Sequence, residues 1–278
     1  MNPLMSANLV RSAELLADTW WSSAVEAVAQ GAVYALLAVA CTRRARAVDP
    51  AQLGAFGLGL FAAYLTYRAL GFRPGPTPDV ALAPLLGFLA LGLLAAVAAA
   101  TALSFVAGRS VLAGLAAFAA VELGAWLLLG DAAAPPVRLF RPHEPLPGVD
   151  DVQLTVVALA ALALAVALRD GVRPFVAGGL LTGTAAFLHL LKVPGSAWYL
   201  TAVLVGVYAV TAALLARTAR GVVVAALALG CVQVVAEAVV GPRWWLPFSL
   251  GLLLVALVVR WLRNRFRARR TVPSAPRG

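Results

Sequence analysis

The chain has 278 residues, of which 62% are hydrophobic and 12% are charged, and it carries a formal net charge of +10. Soluble domains are about 45–50% apolar and about 25% charged. A soluble fold of about 300 residues buries only about 75% of the surface that its unfolded chain exposes. The composition therefore excludes an ordinary soluble domain and predicts an all-α integral membrane protein. The basic residues flank apolar runs instead of covering an aromatic-interleaved surface, which excludes a nucleic-acid partner.

Nine apolar runs follow one another along the chain, and most approach the ~20 residues that a helix needs to cross a bilayer. The second run contains Gly54, Gly57 and Gly59, so a broken or re-entrant segment there, giving eight spans, is an open alternative. We expect a polytopic bundle of about nine transmembrane helices, at about 24–41, 51–70, 80–106, 111–130, 152–168, 174–191, 197–216, 221–241 and 244–262.

These runs divide the chain into an N-terminal segment, a membrane domain and a tail. Residues 1–23 are expected to be extracytoplasmic, and they lack the apolar core of a cleavable signal peptide. Residues 24–262 form the transmembrane helical domain. Residues 263–278 form a basic cytoplasmic tail, whose arginines are expected to meet anionic lipid headgroups.

The distribution of basic residues predicts the orientation. With the C-terminus in the cytoplasm, alternation through the spans places most of the 22 basic residues on the inner side. The longest loop, about 131–151, then lies outside and carries Asp131, Glu144, Asp150 and Asp151. Since cytoplasmic loops are enriched in Lys and Arg, we expect an outside N-terminus and an inside C-terminus, in a multi-pass protein of the plasma or inner membrane.

Several polar side chains lie inside the apolar runs, where a charged group is costly and usually marks a functional pathway. We expect a substrate path formed by Glu122, Gln52, Glu237 and Gln233. The alternative is that such side chains hydrogen-bond across helices and hold them together. His189, near the end of the sixth span, is expected to serve helix packing. Further polar residues in the first and sixth spans are Glu26, Gln30 and Lys192.

Motifs for catalysis are missing from the sequence. It contains no Gly-x-x-x-x-Gly-Lys-Ser/Thr phosphate loop and no His-Glu-x-x-His or Gly-x-Ser-x-Gly motif. Its cysteines, Cys41 and Cys231, lack the spacing of a zinc or redox site. We therefore expect no enzyme activity, no catalytic residue, no metal site and no cofactor in this chain.

Motifs in the first half resemble a transporter family. Residues 31–38, Gly-Ala-Val-Tyr-Ala-Leu-Leu-Ala, resemble the Gly-Ser-Ile-Tyr-Ala-Leu signature of permease subunits of branched-chain amino-acid ABC importers. Residues 49–52, Asp-Pro-Ala-Gln, followed by Gly59 and Tyr64, are similar to that family's Asn-Phe-Ala-His-Gly motif and to the Gly and Tyr after it. Glu122 falls where the family often has Gln.

The second half resembles the same family and also departs from it. Residues 228–230 with Gln233 are similar to the family's late Leu-Leu-Gly-Leu-Leu-Glu stretch. The family's long cytoplasmic loop after the fifth span, which engages the ATPase, is reduced here to residues 168–173. In this short segment the candidates for partner contact are Arg169, Asp170 and Arg173.

The resemblance implies a transmembrane permease-type subunit of an importer for amino acids or similar small polar solutes. Its partners would be a second permease subunit, an ATP-binding subunit that hydrolyses ATP, and an extracytoplasmic solute-binding protein. Transport would proceed by alternating access at the membrane midplane. The shortened loop favours a second hypothesis, a non-transporting membrane scaffold or accessory subunit that anchors a partner complex.

Overall fold

The computed structural model describes residues 19–42, 48–71, 82–107, 111–129, 149–169, 171–192, 198–240 and 245–270. Within these ranges the regular structure is nine α-helices, without a β-strand, which confirms the prediction of an all-α fold. The helices are α1 (Trp20–Thr42), α2 (Ala51–Ala69), α3 (Leu82–Ala107), α4 (Val111–Leu129), α5 (Asp151–Ala167), α6 (Pro174–Lys192), α7 (Trp198–Leu215), α8 (Ala219–Val240) and α9 (Trp245–Arg270).

Each predicted span coincides with one helix, and the boundaries differ most in the first and last helices. α1 begins at Trp20 instead of near residue 24, and α9 continues to Arg270 instead of ending near residue 262. The apolar run stops before Arg263, but the helix continues, because Arg is a good helix former and the sequence has no Gly or Pro between Arg263 and Pro273. The predicted basic tail therefore begins as a continuation of α9. Of the predicted N-terminal segment, residues 1–18 lie outside the described residues.

Among the described residues, α1, α3, α6, α8 and α9 contain the five stretches that are long and apolar enough to cross a membrane. By length and composition the chain is a helical membrane-embedded protein. The second predicted span is one continuous helix, α2, and it is not broken at its glycines. A Cβ atom at Gly54 would lie 2.9 Å from the backbone nitrogen of Phe118, so this glycine lets α2 approach α4 closely.

α1 and α6 form the centre of the bundle. In each of them 78% of the apolar stretch is buried inside the protein, compared with 28% in α3 and α8 and 11% in α9. Small residues bring neighbouring backbones against this central pair. A Cβ atom at Gly31 of α1 would lie 2.7 Å from Leu227 Cα of α8, and one at Gly183 of α6 would lie 2.7 Å from the Ala96 carbonyl oxygen of α3. The outer helices thus leave many large apolar side chains exposed, among them Leu94, Val224 and Leu254.

Contacts at the helix ends fix which ends lie together. The start of α1 meets the end of α6 through Glu26 and Lys192, and the start of α5 through Gln153. Elsewhere, Arg263 of α9 donates a hydrogen bond to the carbonyl oxygen of Leu215, the last residue of α7, at 2.9 Å. α1 therefore runs antiparallel to α6 and in the same direction as α5.

Candidate functional site

One face of α1 carries the polar residues that organise the site. Glu26, Gln30 and Tyr34 recur at intervals of four residues, so they lie above one another on the same face of the helix. Gln30 is 6% exposed and Tyr34 is 1% exposed. This face meets α5, α6, α7 and α8, and its polar groups find their partners there.

A salt bridge closes one end of this face. Lys192 Nζ lies 2.7 Å from Glu26 Oε1, with the Lys192 side chain 6% exposed and the Glu26 side chain 40% exposed. Gln153 Nε2 donates to the other Glu26 oxygen at 3.0 Å. Gln153 is itself fixed, because it forms a capping box with Asp150 at the start of α5. The carboxylate of Glu26 is therefore held by two other helices.

From this salt bridge a chain of hydrogen bonds runs across α1 to α8. Lys192 donates to Gln30 Oε1, and Gln30 Nε2 donates to the hydroxyl of Tyr34 at 2.7 Å. The Tyr34 hydroxyl donates to Gln233 Oε1, and Gln233 Nε2 donates to Glu237 Oε1 at 2.6 Å. Every bond points from the ammonium towards the carboxylate, so each one polarises the next. We call Glu26, Gln30, Tyr34, Gln153, Lys192, Gln233 and Glu237 the polar network.

Two further helices join the network: α7 packs on Tyr34 through Tyr208, and α9 contacts Tyr208 in turn. The rings of Tyr34 and Tyr208 of α7 stack with their centroids 4.9 Å apart and an angle of 12° between their planes. The hydroxyl of Tyr208 accepts a hydrogen bond from Ser249 Oγ of α9 at 3.0 Å. Side chains from α1, α5, α6, α7, α8 and α9 thus converge at this place.

A second polar group lies around Gln52 and is uncharged. Gln52 of α2 is 1% exposed, and its Oε1 accepts hydrogen bonds from Thr182 Oγ1 of α6 at 2.7 Å and from Ser104 Oγ of α3 at 3.3 Å. A Cβ atom at Gly178 would lie 3.2 Å from Gln52 Nε2, so α6 leaves just enough room for the amide. We call Gln52, Ser104 and Thr182 the Gln52 cluster.

Glu122 belongs to neither group. It lies on α4, where its Oε1 is 3.0 Å from the position that a Cβ atom at Gly57 of α2 would occupy. Its neighbour Leu123 and the nearby Trp126 are exposed, so α4 is a peripheral helix. Of the predicted path residues, the structure joins Gln233 to Glu237 in the polar network, places Gln52 in its own cluster and leaves Glu122 apart.

The predicted partner-contact segment lies between α5 and α6. Arg169 and Arg173 are exposed there, and Gly171 adopts a φ of +90°, which a residue with a side chain rarely adopts. Asp170 lies outside the described residues. The arginines are therefore accessible to a second protein.

The predicted substrate path contained only Gln233 and Glu237 of the polar network. Glu26, Gln30 and Lys192 were noted as polar residues but not placed on that path, and Tyr34 and Gln153 were missed altogether. The interval of four residues in α1 marks the face that carries Tyr34, whereas nothing in the sequence pairs Gln153 with Glu26. Within the described ranges, no group of three or more His, Cys, Asp or Glu side chains could hold a metal ion. Comparisons of the chain with protein-family models, with curated proteins and with solved structures found no match.

Proposed function

We propose that this chain is a permease-type transmembrane subunit of an importer for small polar solutes, and that the polar network is its solute site. The observation that carries the proposal is the network itself, in which ionisable side chains meet between apolar helices. Charged groups within a membrane domain are expensive, and in membrane proteins they commonly mark solute and ion pathways. The order of the motifs that resemble importer permeases supports the same function.

The chemistry of the network suits an amino acid or a similar solute with charges of both signs. Lys192 offers an ammonium group to a carboxylate, and Glu26 and Glu237 offer carboxylates to an ammonium group. The amides of Gln30 and Gln233 supply donors and acceptors between them. A bound solute would replace the interactions within the network by ion pairs of its own: its carboxylate would pair with Lys192 and its ammonium group with Glu26 or Glu237. The charged side chains would then stay paired although the site is shielded from water.

Transport by this chain requires partners. Because its sequence has no phosphate loop, we assign ATP hydrolysis to a separate ATP-binding subunit, which would dock at the turn with Arg169, Asp170 and Arg173. A second permease subunit would complete the path, and an extracytoplasmic solute-binding protein would deliver the solute. This arrangement requires nine crossings of the cell membrane, with the N-terminus outside and the C-terminus inside.

One observation favours the alternative of a non-transporting scaffold. The side chains of the network form one continuous chain of hydrogen bonds with one another. Such a chain would also be expected if the network served only to hold α1, α6 and α8 together. Interhelical hydrogen bonds of this kind stabilise membrane proteins by about 0.6–2 kcal/mol each. A scaffold would need the network for assembly and abundance, whereas a permease would need it for flux.

The test is purification of the tagged chain from its native membrane in mild detergent, followed by reconstitution of whatever co-purifies. We expect an ATPase with a phosphate loop and a second permease-type chain. In proteoliposomes the complex should take up radiolabelled leucine, or another amino acid of a labelled panel, only when ATP and the binding protein are present. A chain that purifies with an unrelated complex and takes up no amino acid would support the scaffold.

A further inference from the structure

His189 is a buried polar residue that the polar network does not use. It is 4% exposed, and neither Nδ1 nor Nε2 has a hydrogen-bond partner among the described residues. Its ring lies beside that of Phe56 of α2, with the centroids 5.9 Å apart. A neutral imidazole has one donor and one acceptor, and leaving such groups buried and unpaired costs about 1–3 kcal/mol. Packing alone does not explain His189, since an apolar side chain would fill the same space without this cost.

The position of His189 on α6 relates it to both polar groups. It comes three residues before Lys192 of the polar network and seven residues after Thr182 of the Gln52 cluster. With 3.6 residues per turn, these intervals place Thr182, His189 and Lys192 on one face of the helix. At a rise of 1.5 Å per residue, His189 lies about 4.5 Å from Lys192 and about 10 Å from Thr182 along the axis.

The rest of this face of α6 is built from small residues. Ala185 lies between Thr182 and His189 and is fully buried, as is its neighbour Ala186. A Cβ atom at Gly59 of α2 would lie 3.2 Å from the Ala186 Cβ. The most deeply buried part of the bundle therefore holds a line of polar groups separated by small residues, with an unsatisfied imidazole in its middle.

We propose that Thr182, His189 and Lys192 form a solute-facing strip along α6, and that His189 binds an O–H or N–H group there. That group belongs either to the solute or to a water molecule that accompanies it, because both can donate to one ring nitrogen and accept from the other. The proposal rests on the proposed function and adds to it the route between the polar network and the Gln52 cluster. The strip is closed in the present conformation and opens to water during the transport cycle.

Thiol accessibility in the native complex tests the strip without knowledge of the solute. In a background with Cys41→Ala and Cys231→Ala, His189→Cys and Thr182→Cys are compared with Leu191→Cys and Thr184→Cys. These four side chains are all buried, at 4%, 0%, 7% and 3% exposed, but at about 3.6 residues per turn Leu191 and Thr184 lie on the opposite side of α6 from His189 and Thr182. The probe is the charged, membrane-impermeant reagent 2-(trimethylammonium)ethyl methanethiosulfonate.

We expect the His189→Cys and Thr182→Cys variants to react at least about tenfold faster than the Leu191→Cys and Thr184→Cys variants, because only a hydrated thiol ionises readily. Equal rates at the four positions, or no reaction at any of them, would overturn the strip. Leucine, or whichever amino acid is taken up, is then added before the reagent. Protection of the His189→Cys variant identifies the solute as the ligand, whereas reaction without protection identifies water.

Substitution of the imidazole separates binding from packing. We expect His189→Phe to raise the melting temperature in detergent and to abolish uptake, and His189→Asn, which keeps a donor and an acceptor, to retain part of the uptake. A His189→Phe variant with full uptake would contradict the binding role. A different outcome would be that the wild-type complex takes up no amino acid while the His189→Cys variant still reacts with the reagent. This outcome would reject the proposed function but support the hydrated strip.

Discussion

The polar network and the Gln52 cluster show two ways in which this bundle holds polar side chains between apolar helices. The Gln52 cluster joins α2, α3 and α6 with one amide and two hydroxyls, all uncharged and buried. The polar network joins α1, α5, α6 and α8 with two carboxylates, an ammonium group, amides and a phenol.

The difference shows what helix packing alone requires. One neutral amide is sufficient to connect three helices, and it avoids the desolvation of a charge. The network incurs that desolvation at Lys192, which is only 6% exposed. Breaking a buried ion pair by removing one partner costs about 3–5 kcal/mol. Helix packing alone therefore does not require charged side chains, and we infer that the polar network, and not the Gln52 cluster, binds the charged groups of the solute.

The largest effect should follow from removal of the cation. We expect Lys192→Met to lower the free energy of unfolding by about 2–4 kcal/mol, less than for a fully buried pair because Glu26 keeps contact with water. The measurement is thermal unfolding in detergent, monitored by tryptophan fluorescence. The double variant with Glu26→Gln should recover much of the loss. Equal melting temperatures for the single and double variants would show that the pair is not coupled.

Interruption of the hydrogen-bonded chain should have the next largest effect. Tyr34→Phe keeps the ring stacked on Tyr208 but removes the hydroxyl between Gln30 and Gln233. The amides of Gln30, which is buried, and of Gln233, which is partly buried, then each lose a partner, and we expect a destabilisation of about 1–3 kcal/mol. Chemical denaturation of the wild type and the variant measures it. The conservative control is Tyr208→Phe, which breaks only the hydrogen bond from Ser249 and should cost less.

The smallest effect should occur in the Gln52 cluster. In Gln52→Leu, the hydroxyls of Thr182 and Ser104 can turn to carbonyl oxygens of their own helices. We expect a loss of about 0.5–1 kcal/mol, within the range of interhelical hydrogen bonds in membranes. The same denaturation series measures it beside Tyr34→Phe. A cost above that of Lys192→Met would reverse the comparison between the two groups.

The helices could be predicted from the sequence because each apolar run is bounded by arginines, prolines or polar loops. The end of α9 could not be predicted in this way. Hydropathy indicates where the apolar run ends, which is at Arg263, whereas helix propensity decides where the helix ends, and Arg does not lower that propensity. Gln233 and Glu237 are four residues apart, so their contact is local and predictable. Glu26 and Lys192 meet only through the packing of α1 on α6, which no spacing in one sequence encodes.

Glu122 shows why the members of the candidate site could not all be predicted from the sequence. A carboxylate in the middle of an apolar run predicts a costly buried charge, and the sequence does not reveal whether its helix is central or peripheral. α4 lies at the edge of the bundle, and Glu122 faces Gly57 apart from the other polar groups. Glu122 is therefore a natural control for Glu237, because the two have the same side chain but only Glu237 belongs to the network.

Uptake by proteoliposomes that contain Glu237→Gln or Glu122→Gln complexes tests most directly whether the network is a solute site. Gln is nearly the same size as Glu and can still hydrogen-bond to Gln233, so both variants should assemble at normal abundance and melting temperature. We predict that Glu237→Gln reduces ATP-dependent uptake of the amino acid by at least about tenfold, the loss of one charge-assisted contact of about 1.4 kcal/mol, while Glu122→Gln leaves it unchanged. Full uptake by the Glu237→Gln complex would contradict the account and leave the network as a structural connection between helices.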